Sequence, residues 1–231
     1  MNELTNNHLF GILISVAVFY GGSVLRKKLK RDFINPLLLG IMVIVAVLLL
    51  GDIPYENYMK GGSVIHAFLG PVTVILALPL YRQRKLLMEY KLPIIAGILT
   101  GVISSLVSVI LLCRVFDLNN LLERSLVGHS VTTPIGINIS NSLGAVEGIT
   151  VVSIIITGIL GASVAPLLYR LFRIVHPVAK GLGLGTSSHA LGTTKAMEMG
   201  ETEGAVSSLA IGVAALTTVA MVTILQLTGW Y

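Results

Sequence analysis

The chain has 231 residues, of which 54% are hydrophobic and 12% charged, with a mean hydropathy of +0.88. A soluble globular domain carries about 25% charged residues, and sixteen Lys and Arg with eleven Asp and Glu cannot coat a particle of this size in water. Soluble enzymes, nucleic-acid binders and disordered scaffolds therefore fall away, and an integral membrane protein remains. The pI near 9.4 matters less than where the charges sit. One cysteine, Cys113, allows no internal disulfide, and no Cys/His grouping points to a metal, so neither metal nor cofactor is expected.

The uncharged stretches, taken in order, divide the chain. Residues 9–25 form a first apolar run, followed by the basic group Arg26, Lys27, Lys28, Lys30 and Arg31. A cleavable signal would carry its positive charges ahead of the apolar core, so this run is expected to stay as an anchor. Residues 33–50 form a second span. Residues 61–81 are irregular, containing His66, Gly70-Pro71 and Pro79. Residues 92–113, 148–169 and 204–231 complete five uncharged runs of at least 17 residues. About 20 apolar residues at 1.5 Å each cross the roughly 30 Å hydrocarbon layer. Helices alone satisfy such a backbone in lipid, short of a closed barrel.

Two further segments break the pattern. Residues 125–146 hold His129, Ser130, Thr132, Thr133, Pro134, Asn138 and Asn141. Residues 181–194 read Gly-Leu-Gly-Leu-Gly-Thr-Ser-Ser-His-Ala-Leu-Gly-Thr-Thr. Each is too polar, too short or too broken for a lipid-facing helix, and irregular backbone at membrane depth persists only against protein or a wet cavity.

Charge sets the orientation. Twelve of the sixteen Lys and Arg lie in 26–31, 82–91 and 170–180, which the positive-inside rule places in the cytoplasm. The N-terminus is then outside. Parity makes 61–81 a sixth span and 125–146 a re-entrant hairpin with its turn near 132–136. Residues 181–194 either re-enter from the opposite face or cross as a broken helix that puts Glu198, Glu201 and Glu203 outside. The expected fold is an all-α polytopic bundle over 1–231, a single membrane domain. It has about six full spans and two broken or re-entrant segments, with inverted repeats over 1–118 and 119–231 as the reading of its internal echoes. Those echoes are His66-Ala67-Phe68-Leu69-Gly70 against His189-Ala190-Leu191-Gly192, and Asn35-Pro36 against Thr133-Pro134. Asn35, Pro36, His66, Gly70 and Pro71 are the repeat-related candidates, with chance similarity in a Gly/Ala/Leu-rich chain as the competing explanation.

The odd segments carry hydroxyls, amides and histidines without fixed charge. Helix packing through small residues accounts for this pattern. So does an anion site, because helix N-termini offer unpaired N–H groups and partial positive charge, and Thr133-Pro134 suits a half-helix start. The candidate binding residues are His129, Ser130, Thr132, Thr133, Pro134, Asn138, Thr186, Ser188, His189, Gly192, Thr193 and Lys195. Lys195 reads equally well as an interfacial lysine. Gly181-x-Gly183-x-Gly185 lacks the strand and lysine of a phosphate loop. Ser187, Ser188 and His189 have no carboxylate nearby to orient a base, so the protein is not expected to be an enzyme.

Two runs then carry a family likeness: Ser130-Val131-Thr132-Thr133-Pro134-Ile135, and Ala179-Lys180-Gly181-Leu182 through Gly185-Thr186-Ser187-Ser188-His189-Ala190-Leu191-Gly192-Thr193. With Asn35-Pro36-Leu37-Leu38, Pro79-Leu80-Tyr81 and Glu203-Gly204-Ala205 they make the chain resemble the LrgB/CidB family of antiholin-like bacterial membrane proteins. The resemblance implies a multi-pass protein of the bacterial plasma membrane. It also implies links to murein hydrolase control, autolysis and programmed cell death, exercised with a small holin-like LrgA/CidA partner. The family is similar to the membrane portion of the plant plastid glycolate/glycerate transporter, and pyruvate uptake has been attributed to bacterial members. Two expectations follow: a carrier for a small monocarboxylate, or a regulator that moves nothing itself. A homodimer is a further expectation, and nucleic acid is not a partner. One departure stands out. The family's Pro and Lys or Arg ahead of the Ser-Val-Thr-Thr run are Gly128-His129 here, a titratable group in place of a fixed charge.

Overall fold

The computed structural model describes residues 5–29, 36–68, 71, 74 and 77–231, and every regular element among them is helical. The chain divides into two compact units, residues 1–75 and 76–231.

The first unit holds α1 (His8–Leu29), α2 (Pro36–Leu50) and α3 (Tyr55–Ala67). Helix α1 is apolar until its last turn, where Arg26, Lys27 and Lys28 face the negative end of the helix dipole. Helix α2 opens on proline, which suits a helix start, and its 15 described residues reach about 22 Å. Helices α1 and α3 touch backbone to backbone: a Cβ on Gly11 would strike the carbonyl of Tyr58, and one on Gly61 the carbonyl of His8. Ser15 Oγ lies 3.1 Å from the Tyr58 hydroxyl across the same contact. The expected span at 61–81 begins differently. Helix α3 starts six residues earlier, after the extended Pro54, and ends at Ala67. His66 and Pro71 are exposed. Pro36 starts α2, while Asn35 and Gly70 lie outside the described residues, as do Lys30 and Arg31 of the basic run.

The second unit holds α4 (Ala77–Arg82), α5 (Arg84–Glu89), α6 (Lys91–Val115), α7 (Asn120–Leu126), α8 (Thr133–Ser142), α9 (Glu147–Leu171), α10 (Pro177–Met199) and α11 (Glu201–Leu227). Helices α6, α9 and α11 have 25, 25 and 27 residues and, with α1, are the four long and apolar enough to span a membrane among the described residues. On α6 the stripe Ile94, Ile98, Val102, Leu106 is buried, and it packs in one cluster with Val206, Ala210, Ala214 and Val222 of α11. The other face of α6, with Leu99, Ile103, Val107 and Leu111, is exposed, as a lipid-facing surface must be.

Between these spans lie two hairpins. The first is α7 and α8, joined by residues 127–132. Asn119 caps α7, its side chain accepting from Leu122 N at 2.8 Å. Thr132 is the extended N-cap of α8, and Pro134 fits the first turn, where no N–H is needed. The turn therefore precedes the expected 132–136, and the cap is Thr132 rather than Thr133. The arms cross at two glycines, with the site of a Gly128 Cβ only 3.3 Å from Gly136 Cα. Thr150 of α9 fastens both arms, its Oγ1 lying 2.7 Å from Ser125 O and 3.1 Å from Ser140 Oγ.

The second hairpin is α10 itself. Its helical course breaks at His189, where φ is 40° and ψ −127°. In an unbroken helix residues 184 and 192 would stand about 12 Å apart, yet a Cβ on Gly192 would strike the Leu184 carbonyl. The arm after His189 is therefore folded back on the arm before it. Packing against α11 agrees. Gly181 and Gly185 meet the carbonyls of Glu203 and Ser207 in parallel register, whereas Thr193 Oγ1 bonds Ser207 Oγ at 2.7 Å and Met197 meets Gly204 in antiparallel register. Both ends of α10 thus lie on one side, the side where α11 begins. The other hairpin lies on the opposite side, where α6 and α11 end: Gln226 Nε2 donates to Ser142 O at 3.0 Å, and Arg114 sits 4.4 Å over the Trp230 ring. Residues 125–146 and 181–194 accordingly dip in from opposite faces without crossing.

Candidate functional site

The two hairpin tips meet at a cavity of about 490 Å³ inside the second unit. Helix α6 contributes Gly101, Ser104, Ser105 and Ser108, the first hairpin His129 and Ser130, α9 Thr157, Gly161 and Tyr169, and the leading arm of α10 Gly183, Thr186 and Ser187. Helical periodicity delivers these groups. Residues 101, 104, 105 and 108 share one face of α6, and 157, 161, 165 and 169 share one face of α9. Val164, Ala165 and Leu168 of α9 complete a lining that is largely apolar, and among the described residues no Asp, Glu, Lys or Arg lines the space.

At rest most of the hydroxyl protons are spent on the helices that carry them. Ser104 donates to Gly101 O, Ser108 to Ser104 O, Thr186 to Leu182 O and Ser187 to Gly183 O. Tyr169 Oη donates to Lys180 O at 2.8 Å, tying the end of α9 to the start of α10. Oxygen lone pairs thus remain for the cavity, and turning an O–H inward costs one back-bond, about 1 kcal/mol each.

His129 is the exception. Its Nδ1 lies 2.9 Å from Leu126 O, and a carbonyl only accepts, so Nδ1 holds a proton. The bare Nε2 of the neutral ring faces Ser105 Oγ at 3.3 Å, and that hydroxyl also stands 3.1 Å from Ser130 Oγ. His189 is disposed in the opposite way. It is 5% exposed, its Nε2–H donates to Ile154 O at 3.0 Å, and its Cε1 sits against Gly158 of α9. Ser188 sits on Gly161 one turn along. The two α9 glycines make the notch into which the tip of α10 fits.

Of the expected binding residues, the cavity gathers His129, Ser130 and Thr186. Ser188 is buried beside it and bonded to Ser187 at 3.0 Å. His189 and Gly192 lie at the fold-back, and Thr193 is bonded to α11. Thr132, Thr133 and Pro134 form the first turn of α8, Asn138 is exposed, and Lys195 is paired with Glu198 at 2.9 Å. None of these last five lines the cavity. The α6 and α9 residues escaped the sequence reading. Their signal is a stripe of small and hydroxylated residues at i, i+4 and i+7 inside otherwise apolar spans.

Long apolar helices packed with two opposed hairpins, around a cavity lined by small, hydroxylated and apolar residues, define a multi-pass membrane protein. The LrgB-like family matches residues 15–227, and the chain belongs to that family. It is 36% identical over 229 residues to the antiholin-like protein LrgB of Bacillus subtilis (strain 168), covering 98% of this chain and 99% of that protein. It is 35% identical over 214 residues to the protein of the same name from Bacillus mycoides (strain KBAB4), covering 92% and 93%. The uncharacterized protein YwbG of B. subtilis (strain 168) is 36% identical over 210 residues, covering 91% and 93%. No solved structure matches the chain. A multi-pass bacterial membrane protein of antiholin-like kinship is thereby established.

Proposed function

We propose that the protein is a carrier for a small monocarboxylate such as pyruvate or glycolate, residing in the bacterial plasma membrane with its N-terminus outside, and that it catalyses no covalent reaction. The observation that carries this reading is the meeting of two hairpins, from opposite faces, at one cavity whose largely apolar lining is set with hydroxyls and one histidine. Discontinuous helices converging at mid-membrane are the recurrent binding architecture of secondary transporters. The cavity falls within the roughly 300–1,000 Å³ of small-molecule sites, ample for a three-carbon acid with water. Its hydroxyls offer orientation without the desolvation cost of a buried fixed charge.

The test is uptake of labelled pyruvate, glycolate or lactate by the purified protein in liposomes, with and without a pH gradient. Accumulation above protein-free liposomes supports the carrier; its absence for all three acids refutes it.

The name of these relatives, antiholin-like, favours a second reading: a regulator of murein hydrolases and autolysis acting through a small holin-like LrgA/CidA partner, with no transport of its own. That reading requires complex formation with the partner and no solute flux.

A further inference from the structure

We propose that His129 is the group that holds the substrate carboxylate, and that it does so only when a second proton sits on Nε2, so that each carboxylate is bound together with one proton. This rests on the carrier reading above and names the recognition chemistry of its site.

The geometry leaves few alternatives. A carboxylate leaving water for a largely apolar cavity needs a countercharge, and none of the described lining residues carries a fixed one. Lys195 is engaged with Glu198 and does not reach the lining. His189 spends Nε2–H on Ile154 O and is packed on Gly158. Tyr169 is a phenol committed to Lys180 O. Among the described lining residues, His129 is the one that presents an unprotonated ring nitrogen, Nε2, which lies 3.3 Å from Ser105 Oγ, while its other nitrogen keeps a proton against Leu126 O in either charge state. The end carbonyl of α7 thus orients the ring and tolerates the cation.

Protonation reverses the direction of the local hydrogen bonds. With the ring neutral, Nε2 has only a lone pair to offer, and the hydroxyls of Ser104, Ser108, Thr186 and Ser187 keep their protons on their own helices. The resting cavity, largely apolar and with these four hydroxyl protons spent on their own helices, offers an anion few donors. Once Nε2 gains a proton from the water on the side of entry, it becomes a charged donor. Ser105 already gives its proton to Ser130 Oγ, so the Ser130 hydroxyl is the one that can turn to the same carboxylate. Release on the far side returns the acid's anion and the proton to water and leaves the ring neutral, so the cycle moves no net charge.

The other ionisable groups around this tip are placed to leave His129 in control. Lys91 and Arg114 lie at the ends of α6, Glu147 and Arg170 at the ends of α9, Lys180 in the first turn of α10, and Glu201 and Glu203 at the start of α11. Glu123 and Arg124 precede His129 on α7, a turn or more away. His189 is the remaining titratable neighbour within electrostatic range.

The experiment is calorimetric titration of the purified protein with pyruvate, in two buffers of different ionisation enthalpy, from about pH 5.5 to 8.5 across the histidine range. The wild-type protein is expected to take up one proton per pyruvate bound above the pKa of His129, with affinity falling about tenfold for each pH unit there. His129→Gln is expected to bind weakly and without pH dependence, and His129→Lys to bind without pH dependence and without proton uptake. The proton count on the wild-type protein needs no variant to fold. Pyruvate binding with no proton uptake, or a His129→Gln protein that keeps the wild-type pH profile, overturns the proposal while leaving the carrier intact. Absence of binding and uptake for every acid at every pH overturns the carrier reading, and this proposal with it.

Discussion

His189 offers a sharp test of the fold-back. Its φ of 40° with ψ of −127° is a region that glycine enters freely and other residues enter at about 1–3 kcal/mol. His189→Ala and His189→Gly both remove the imidazole, with its buried bond to Ile154 O and its packing on Gly158, so those losses cancel between the two variants. What remains is the backbone. At an ordinary helical position glycine is less stable than alanine by about 0.5–1 kcal/mol. At position 189 the order is expected to invert, glycine exceeding alanine by about 1–3 kcal/mol. For a chain of about 150–250 residues each kcal/mol moves the midpoint by roughly 2–4 °C, which puts His189→Gly roughly 2–12 °C above His189→Ala. Both should fall below the wild-type protein. Thermal unfolding in detergent, followed by the fluorescence of Trp230, the single tryptophan, measures the difference. An alanine variant as stable as the glycine variant, or more so, would show that the chain does not reverse at 189.

The close contacts supply further expectations. Gly185→Ala puts a Cβ 2.6 Å from Ser207 O and 2.7 Å from Ala210 Cβ, and overpacking against backbone should cost about 1–3 kcal/mol. Gly212→Ala meets nothing within 4 Å and should leave stability unchanged or raise it by up to about 1 kcal/mol; equal effects at the two sites would contradict the packing of α10 on α11. A double-mutant cycle of Thr193→Val and Ser207→Ala, read by thermal or denaturant unfolding, should give a coupling of about 0.6–1.7 kcal/mol for their 2.7 Å bond. Zero coupling would mean that the trailing arm of α10 does not reach α11. In a Cys113→Ser background, Asn141→Cys and Glu198→Cys should label with membrane-impermeant reagent from opposite faces of sealed vesicles. Labelling of both from the same face would refute the opposed hairpins.

Much of this architecture was legible because lipid makes few exceptions. Uncharged runs of sufficient length become helices, and in the second unit 92–113, 148–169 and 204–231 became α6, α9 and α11. The two hairpins were legible from what excluded them as spans: hydroxyls, amides, Pro134 and the glycine run. Their tips were harder. The first turn lies ahead of the expected position because Pro134 is accepted inside the first turn of α8 and Gly128 supplies the crossing point. The reversal at His189 opposes local propensity outright, since a histidine with φ of 40° is chosen by its surroundings, the Gly158 notch and the Ile154 carbonyl. Those surroundings are 30 and more residues away in sequence. The cavity residues of α6 and α9 were hidden for another reason: a serine or threonine in a long apolar span is cheap when it bonds back to its own helix, so each one alone carries no signal.

The second unit repeats one theme in two orientations. Hairpin α7–α8 followed by span α9 enters from one face, and hairpin α10 followed by span α11 enters from the other. In each pair the trailing arm has ten residues up to its end, 133–142 and 190–199, and is fastened to the span that follows it, Ser140 to Thr150 and Thr193 to Ser207. Each tip carries one histidine, and the two have opposite fates. His189 is committed through its ring nitrogen to the neighbouring span and holds the tip in place. His129 is committed to its own hairpin and keeps a nitrogen for the cavity. On the carrier reading proposed above, His129 is the tip histidine that meets the ligand, while His189 fixes its own tip to α9. The scarcity of charge follows from the same arrangement. On the carrier reading, a fixed lysine at either tip would bear its desolvation cost throughout the cycle, whereas an imidazole would carry charge only while a carboxylate is there to share it.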